Sequence, residues 1–184
     1  GTFVQDKEPA FYLYQQVFVN PKDGKKYSRS GLVCALKLEP YSAGIVLPHE
    51  ETRNKAKEDR LKLMRATNAN PEPIYGLYED PHQSLAREFA LIERMDTPML
   101  EATVDGDTHK LFRIDNDDVI EAIETFFANR RIWIADGHHR YETGLNYKEG
   151  VRNANGNPRG PLPCDYLLIV LTSFTDPGIV VLPT

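Results

Sequence analysis

The order of hydrophobic and polar positions predicts a chain in which strands and helices are interspersed. Aromatic and β-branched residues fill positions 11–19 and 27–38, and the intervening segment 20–24 contains Asn20, Pro21 and Gly24, which are typical of a turn. We therefore expect a β-hairpin at this point. Asp105 and Gly106 predict a second hairpin between positions 99–104 and 110–114. Other strands are predicted at 42–47, 73–78, 132–135 and 165–172.

Helical spacing of apolar residues predicts four helices, at positions 53–69, 83–95, 116–127 and 141–148. The third is the clearest, because Asn116 is a suitable N-cap and a continuous inward stripe follows, formed by Val119, Ile120, Ile123, Phe126 and Phe127. Segment 150–163 is rich in glycine, proline and asparagine and predicts either a solvated linker or a mobile lid. The expected fold is α/β (α+β), a mixed, partly antiparallel sheet with flanking helices.

The helix predicted at 53–69 carries an arginine on its apolar face. Ala56, Leu63, Met64 and Thr67 define that face, and Arg60 lies in its middle. A buried arginine requires an anionic partner, because an unpaired charge away from water is costly. Either a carboxylate, Asp59 or Glu50, or a bound phosphate could supply the negative charge.

The segment 132–140 places several polar groups where a buried strand meets a helix. An apolar run ends at Asp136, which is expected to be a helix N-cap, and Gly137, His138, His139 and Arg140 follow. The first turn of a helix has free N–H groups and the positive end of the helix dipole, so an anion fits there. Arginine can bind a phosphate with two donors.

The same residues also have a purely structural interpretation. Asp136 could only cap the helix, His138 could simply be exposed, and Arg140 could only pair with a carboxylate. His82 is expected in an exposed loop and His109 in a strand.

Composition restricts the classes of function. The 184 residues suit a single domain, 1–184, and a net charge of -5 argues against general nucleic-acid binding. Two cysteines, Cys34 and Cys164, make neither a disulfide framework nor a zinc site, so we expect reduced thiols and a cytoplasmic location. No apolar run is long enough to cross a membrane, so we expect no membrane contact. The chain starts at Gly1 and stops just after a predicted strand, so it is expected to be a fragment of a longer protein.

Two polar clusters could carry chemistry if they meet in space. One contains His49, Glu50, Thr52, Asp59 and Arg60, and the other contains Asp136, His138, His139 and Arg140. Arginines and helix N–H groups could hold a phosphoryl group, while Glu50, Asp59 or Asp136 could act as a base or bind Mg²⁺. The same set could form a metal site for hydrolysis. The adjacent pair His138 and His139 cannot readily bind one metal from a helix.

The motifs His49-Glu50-x-Thr52, Glu58-Asp59-Arg60 and Ala135-Asp136-Gly137-His138-His139-Arg140 resemble the bacterial and archaeal family called domain of unknown function 1015. The resemblance extends over essentially the whole chain and includes the segment 9–14. Members of that family are longer, which implies that N-terminal and C-terminal parts are absent here. The family brings no established activity.

The Asp-Gly-His-His-Arg corner is also similar to the phosphate-binding corner of the ParB and sulfiredoxin-like fold. Sulfiredoxin has Gly-Cys-His-Arg at this corner and holds ATP phosphates there, and a free-serine kinase shares the fold. This similarity implies that Gly137, His139 and Arg140 bind phosphate. His138 stands where sulfiredoxin has its catalytic cysteine, so sulfiredoxin activity is not expected.

The sequence therefore suggests an enzyme of phosphoryl transfer or hydrolysis acting on a small metabolite, such as serine. Its catalytic candidates are Glu50, Asp59, Asp136 and His138, and its phosphate- or nucleotide-binding candidates are His49, Thr52, Arg60, Gly137, His138, His139 and Arg140. The expected cofactors are Mg²⁺ and ATP or ADP, and the expected partner is a small-molecule or nucleotide ligand. A regulatory nucleotide-sensing module and a structural domain without a ligand are the alternatives.

Overall fold

The computed structural model describes residues 6–52 and 54–180, without the side chains of residues 54–56. It contains eight strands: β1 (Phe11–Val19), β2 (Lys26–Lys37), β3 (Val46–Leu47), β4 (Ile74–Tyr78), β5 (Leu100–Val104), β6 (Asp107–Ile114), β7 (Ile132–Asp136) and β8 (Tyr166–Ser173). The four α-helices are α1 (Asn54–Thr67), α2 (Ser84–Met95), α3 (Asp117–Phe127) and α4 (His138–Ala154). The expected α/β class is confirmed.

The chain divides into two compact units, each built from separate stretches of sequence. The described part of the first unit comprises residues 6–33, 79–129 and 173–180, and the second comprises 34–78 and 130–172. Strand β2 contributes residues to both. The prediction of a single domain is not tested by this division and stays a prediction.

The first unit contains antiparallel strands and two amphipathic helices. Its strands follow the order β2-β1-β6-β5, and both predicted hairpins are present. The Asn116 side chain accepts a hydrogen bond from the Val119 N–H and caps α3, as expected. The two helices are α2 and α3, and their apolar stripes face the core of this unit. That core includes Leu13, Leu32, Leu85, Phe89, Phe112, Ile114 and Ile123.

The second unit contains a mixed set of strands in the order β3-β7-β4-β8. Strand β7 is parallel to β3 and antiparallel to β4, which confirms the expected mixed, partly antiparallel pairing. Helices α1 and α4 pack against each other in this unit. Its core includes Leu38, Val46, Ile74, Tyr78, Ile132, Ile134, Tyr141, Leu167, Ile169 and Leu171.

Helix α4 is much longer than predicted. It begins at His138 rather than at position 141 and continues to Ala154 rather than ending at 148. The loop that follows is held in place by Arg152, which donates to the carbonyl oxygens of Pro158 and Gly160 and to the Asp165 carboxylate. The segment predicted as a linker or lid is therefore partly helix and partly an anchored loop.

Helix α1 presents a different face from the one predicted. Leu63 and Thr67 are exposed, as is Arg60, whereas Lys57, Leu61 and Met64 are half-buried. The side chain of Ala56 lies outside the described residues. Lys57 forms an ion pair with Glu142 of α4, with Nζ 2.8 Å from Oε2. The expectation of a buried Arg60 was wrong.

Neither cysteine forms a disulfide, and desolvation raises the pKa of the half-buried Cys34 thiol to about 12. A thiol with so high a pKa is a poor nucleophile near neutral pH. Over the part of the chain that the structure describes, no helix is both long and apolar enough to span a membrane.

Candidate functional site

A tight corner at Gly137 connects β7 to α4. Gly137 has φ +97°, and its carbonyl oxygen accepts the first helical hydrogen bond from the Tyr141 N–H. A Cβ atom at this position would lie only 2.7 Å from Cγ2 of Ile74. Glycine is therefore required both by the backbone conformation and by the close approach of β4.

The predicted N-cap, Asp136, does not cap α4. Gly137 occupies the N-cap position and, having no side chain, makes no capping hydrogen bond of its own. The Asp136 carboxylate instead accepts a 2.5 Å hydrogen bond from Nη2 of Arg140. Because Asp136 is the last residue of β7 and Gly137 turns the chain, its side chain reaches Arg140 rather than the first-turn N–H groups.

Arg140 is held by several neighbours. Besides its bond to Asp136, it donates from Nη1 to the Pro73 carbonyl oxygen, and the Glu72 carboxylate lies 3.8 Å away. Only 19% of the Arg140 side chain is exposed. Arg140 therefore pairs with a carboxylate, as its purely structural interpretation expects.

His49 and His138 lie edge to face, with their ring centroids 4.5 Å apart. The His49 backbone N–H donates to Nε2 of His138 at 3.2 Å, while Nδ1 of the His49 ring lies 2.7 Å from the Ile134 carbonyl oxygen. His138 is only 2% exposed, so the interpretation of it as a surface residue was wrong. Burial lowers the pKa of the His138 imidazole, and nearby His49 lowers it further.

In the neutral form of each ring, these contacts decide which nitrogen carries the proton. Nε2 of His138 accepts from a backbone N–H, so its proton resides on Nδ1. A carbonyl oxygen can only accept, so the proton of His49 resides on Nδ1 and leaves a lone pair on Nε2. His49 is exposed, and that lone pair is available to a proton or a metal ion.

Glu50 completes a compact group with the two histidines. Its Oε1 lies 3.5 Å from Nδ1 of His138, and ligand atoms from His49, Glu50 and His138 all lie within 4.8 Å of one another. The structure thus brings His49 and Glu50 of one polar cluster next to His138 of the other. His139 is not a member of the group, in agreement with the expectation that adjacent helical histidines diverge.

Thr52 of the first cluster contacts Glu142, a residue of α4 that lies outside both clusters. The Thr52 hydroxyl donates to Oε2 of Glu142 at 2.5 Å, and Lys57 pairs with the same oxygen. Burial favours the neutral form of Glu142, but the hydrogen bonds from Lys57 and Thr52 outweigh it and lower the Glu142 pKa. Sequence reasoning missed Glu142 and Lys57, although Glu142 follows His138 by four residues and therefore shares its helix face.

The Tyr41 hydroxyl is another group that the sequence did not reveal. The Tyr41 ring stacks on Tyr141 with centroids 5.3 Å apart, and its buried hydroxyl has no hydrogen-bond partner among the described residues. Burial raises the Tyr41 pKa, and the negative charges of Glu142 and Glu50 raise it further. The hydroxyl therefore stays protonated and can act only as a neutral donor or acceptor.

On a different face of α4, Arg140 and Thr143 line an open cavity of about 510 Å³ beside α1. The other lining residues are Asp59, Arg60, Leu63, Met64, Asn70, Pro71 and Glu72. The structure therefore brings the two predicted arginines into one cavity. Arg60 has no ion-pair partner among the described residues, whereas Asp59 lies 3.6 Å from Lys62. All residues of the cavity and of the histidine group belong to the second unit.

The family model described as protein of unknown function (DUF1015) matches residues 1–184. The chain belongs to the DUF1015 family. The resemblance drawn from the motifs is therefore confirmed. The similarity of this DUF1015 chain to the ParB and sulfiredoxin-like corner stays a prediction. A search of the curated proteins and a search of the solved structures gave no match to the chain.

Proposed function

We propose that the second unit of this DUF1015 chain binds a phosphate-bearing small molecule and catalyses phosphoryl transfer or hydrolysis. The observation that carries the proposal is the cavity of about 510 Å³ that contains both Arg60 and Arg140. Its volume is within the range typical of small-molecule sites. Two guanidinium groups in one concave site match the needs of phosphate recognition.

The two arginines would have different roles in phosphate binding. Arg60 is exposed and without an ion-pair partner among the described residues, so it is the mobile donor. Arg140 is oriented by Asp136 and Pro73, so it is the fixed donor. Binding an anion at Arg140 weakens its attraction to Asp136, which limits the gain in affinity from this residue.

The carboxylates of the cavity could bind a magnesium ion together with the phosphate. Asp59 and Glu72 both line the cavity, and both carboxylates are largely exposed. Magnesium is usually held by one or two carboxylates and by substrate phosphates. This arrangement supports Mg²⁺ with ATP or ADP as the cofactor, and a substrate hydroxyl such as that of serine as an acceptor.

His49 does not line the cavity, but in the metal-free chain it is the candidate general base of the second unit. Its Nδ1 lies 2.7 Å from the Ile134 carbonyl oxygen, so the neutral form of the exposed ring presents Nε2 without a proton. A base in this tautomer can accept a proton from a hydroxyl or a water molecule. The buried His138 is less accessible and acts as the support for His49.

Thermal-shift measurements with ATP, ADP, CTP, pyrophosphate and phosphate, with and without Mg²⁺, test the binding step. A ligand at 100 times its dissociation constant stabilises the folded state by about 2.7 kcal/mol. We expect at least one of them to raise the melting temperature, and Arg60→Gln to reduce that shift. Arg65→Gln is the matched control, because it removes an exposed arginine of α1 that does not line the cavity.

Turnover separates an enzyme from a nucleotide-sensing module. Each ligand that binds is incubated with serine or with water as the acceptor, and phosphorus NMR follows the products. Product formation that is reduced in His49→Gln supports the enzyme. Binding without product from any acceptor would favour the sensing module, and no binding by any ligand would overturn the proposal.

A further inference from the structure

The three side chains of His49, Glu50 and His138 have the composition of a metal site with nitrogen and oxygen ligands. Their ligand atoms lie within 4.8 Å of one another, and two different segments supply them: the residues after β3 and the first turn of α4. Tetrahedral ligands at bond lengths of about 2.0–2.1 Å lie roughly 3.3 Å apart. Half of the Glu50 side chain is exposed, so it can close the remaining distance.

His49 has the outer-shell support that metal-binding histidines usually have. Its Nδ1 lies 2.7 Å from the Ile134 carbonyl oxygen, which is outside the three-residue group. Such a bond fixes the ring orientation and the tautomer and leaves Nε2 free to bind a metal. This contact is independent of the distances among the three ligands.

His138 supplies a ligand that is already desolvated. Its side chain is 1% exposed, and its Nδ1 faces Glu50. In the metal-free state that nitrogen carries the ring proton, because Nε2 accepts from the His49 N–H at 3.2 Å. A metal at Nδ1 therefore requires the proton to move to Nε2, and the His49 N–H must turn away from the ring.

We propose that His49, Glu50 and His138 bind one divalent transition-metal ion of the zinc type. Two imidazoles and one carboxylate favour zinc or cobalt over magnesium, which prefers oxygen ligands. Three protein ligands leave one position open for water, as in catalytic zinc sites. The use of that water to attack a phosphate rests on the proposed function, whereas the binding of the metal does not.

Cobalt is the probe, because its visible absorption bands report the coordination geometry directly. The metal-stripped 184-residue chain is titrated with Co²⁺, and we expect one equivalent to bind and zinc to displace it. We expect His49→Gln and Glu50→Gln to weaken binding by more than the roughly 10–100-fold effect of losing an outer-shell partner. Both replaced side chains are exposed, so the variants should keep the fold, which thermal melting checks.

The control variant is His82→Gln, which removes an exposed histidine outside the group and should leave cobalt binding unchanged. A nitrogen-15 NMR spectrum of the His138 ring supplies a second readout, because the proton should move from Nδ1 to Nε2 when zinc binds. The proposal is overturned if no metal binds, or if His49→Gln binds it as tightly as the unmodified chain. Phosphate binding by the metal-free chain is measured separately, so its loss or retention bears only on the proposed function.

Discussion

Arg140 donates from Nη2 to the Asp136 carboxylate at 2.5 Å, so the arginine that the sequence assigns to phosphate already has an anionic partner within the chain. The Asp136 side chain is 74% exposed, whereas that of Arg140 is 19% exposed. An ion pair with one partner in water contributes little to stability. The Asp136–Arg140 ion pair therefore adds little to the stability of the β7–α4 corner, and an external anion can compete with Asp136 for Arg140.

Asp136→Asn should strengthen phosphate binding. Removal of the carboxylate leaves Arg140 bonded to the Pro73 carbonyl oxygen but frees the Nη2 donor. We expect affinity for phosphate or pyrophosphate to rise about three- to five-fold, which corresponds to roughly 1 kcal/mol or less for an exposed ion pair. Isothermal titration calorimetry measures the change. Unchanged affinity would mean that the ligand does not use Arg140.

Gly137→Ala should destabilise the β7–α4 corner. Alanine has to adopt φ +97° there, and its Cβ would lie 2.7 Å from Ile74. The left-handed conformation alone costs an L-residue about 1–2 kcal/mol, and the overlap adds to this cost. We expect a loss of roughly 2 kcal/mol or more in the free energy of unfolding, measured by urea denaturation.

Gly106→Ala provides the comparison for that experiment. Gly106 has φ +91°, but a Cβ there meets no atom within 4 Å. This variant should lose only the conformational contribution, about 1–2 kcal/mol. If both variants lost the same free energy of unfolding, the close approach of Ile74 to Gly137 would contribute nothing to the destabilisation.

Asp165→Asn should remove a source of acid sensitivity. Asp165 is buried and accepts hydrogen bonds from Arg152 Nε at 2.6 Å, Arg152 Nη2 at 2.5 Å and the Leu162 N–H at 2.7 Å. The Arg152 bond is the main cause that lowers the pKa of Asp165 well below its usual range. Breaking a buried ion pair by removing one partner costs about 3 kcal/mol.

The sign of the pH dependence follows from that lowered pKa. A carboxyl group with a lower pKa in the folded state contributes stability above its unfolded pKa of about 3.9, and this contribution is lost as the pH falls further. The stability difference between the unmodified chain and Asp165→Asn should therefore be constant from pH 7 to 5 and shrink below pH 4. Glu101→Gln, which breaks an exposed pair with Lys110, should show no more than about 0.5 kcal/mol at any pH. A constant difference down to pH 2 would contradict this account of Asp165.

The sequence by itself determined the type and the approximate position of the main elements. The stripe of α3 and the Asn116 cap were predictable because both depend on residues within one turn of each other. The hairpin at Asp105 and Gly106 was predictable for the same reason, since its turn chemistry is local. The motifs also determined family membership, which the match over residues 1–184 confirms.

Only the tertiary structure decided which side chains meet. The N-cap moved from Asp136 to Gly137 because the chain turns through a positive φ beside Ile74, and no local pattern reveals that approach. Lys57 on α1 pairs with Glu142, 85 residues further along the chain, while Arg60 is exposed, and local periodicity reveals neither fact. The proton positions of His49 and His138 likewise depend on a carbonyl oxygen and an N–H group brought from distant segments. Local sequence fixes backbone preferences, whereas long-range contacts determine hydrogen-bond partners and therefore the chemistry of each side chain.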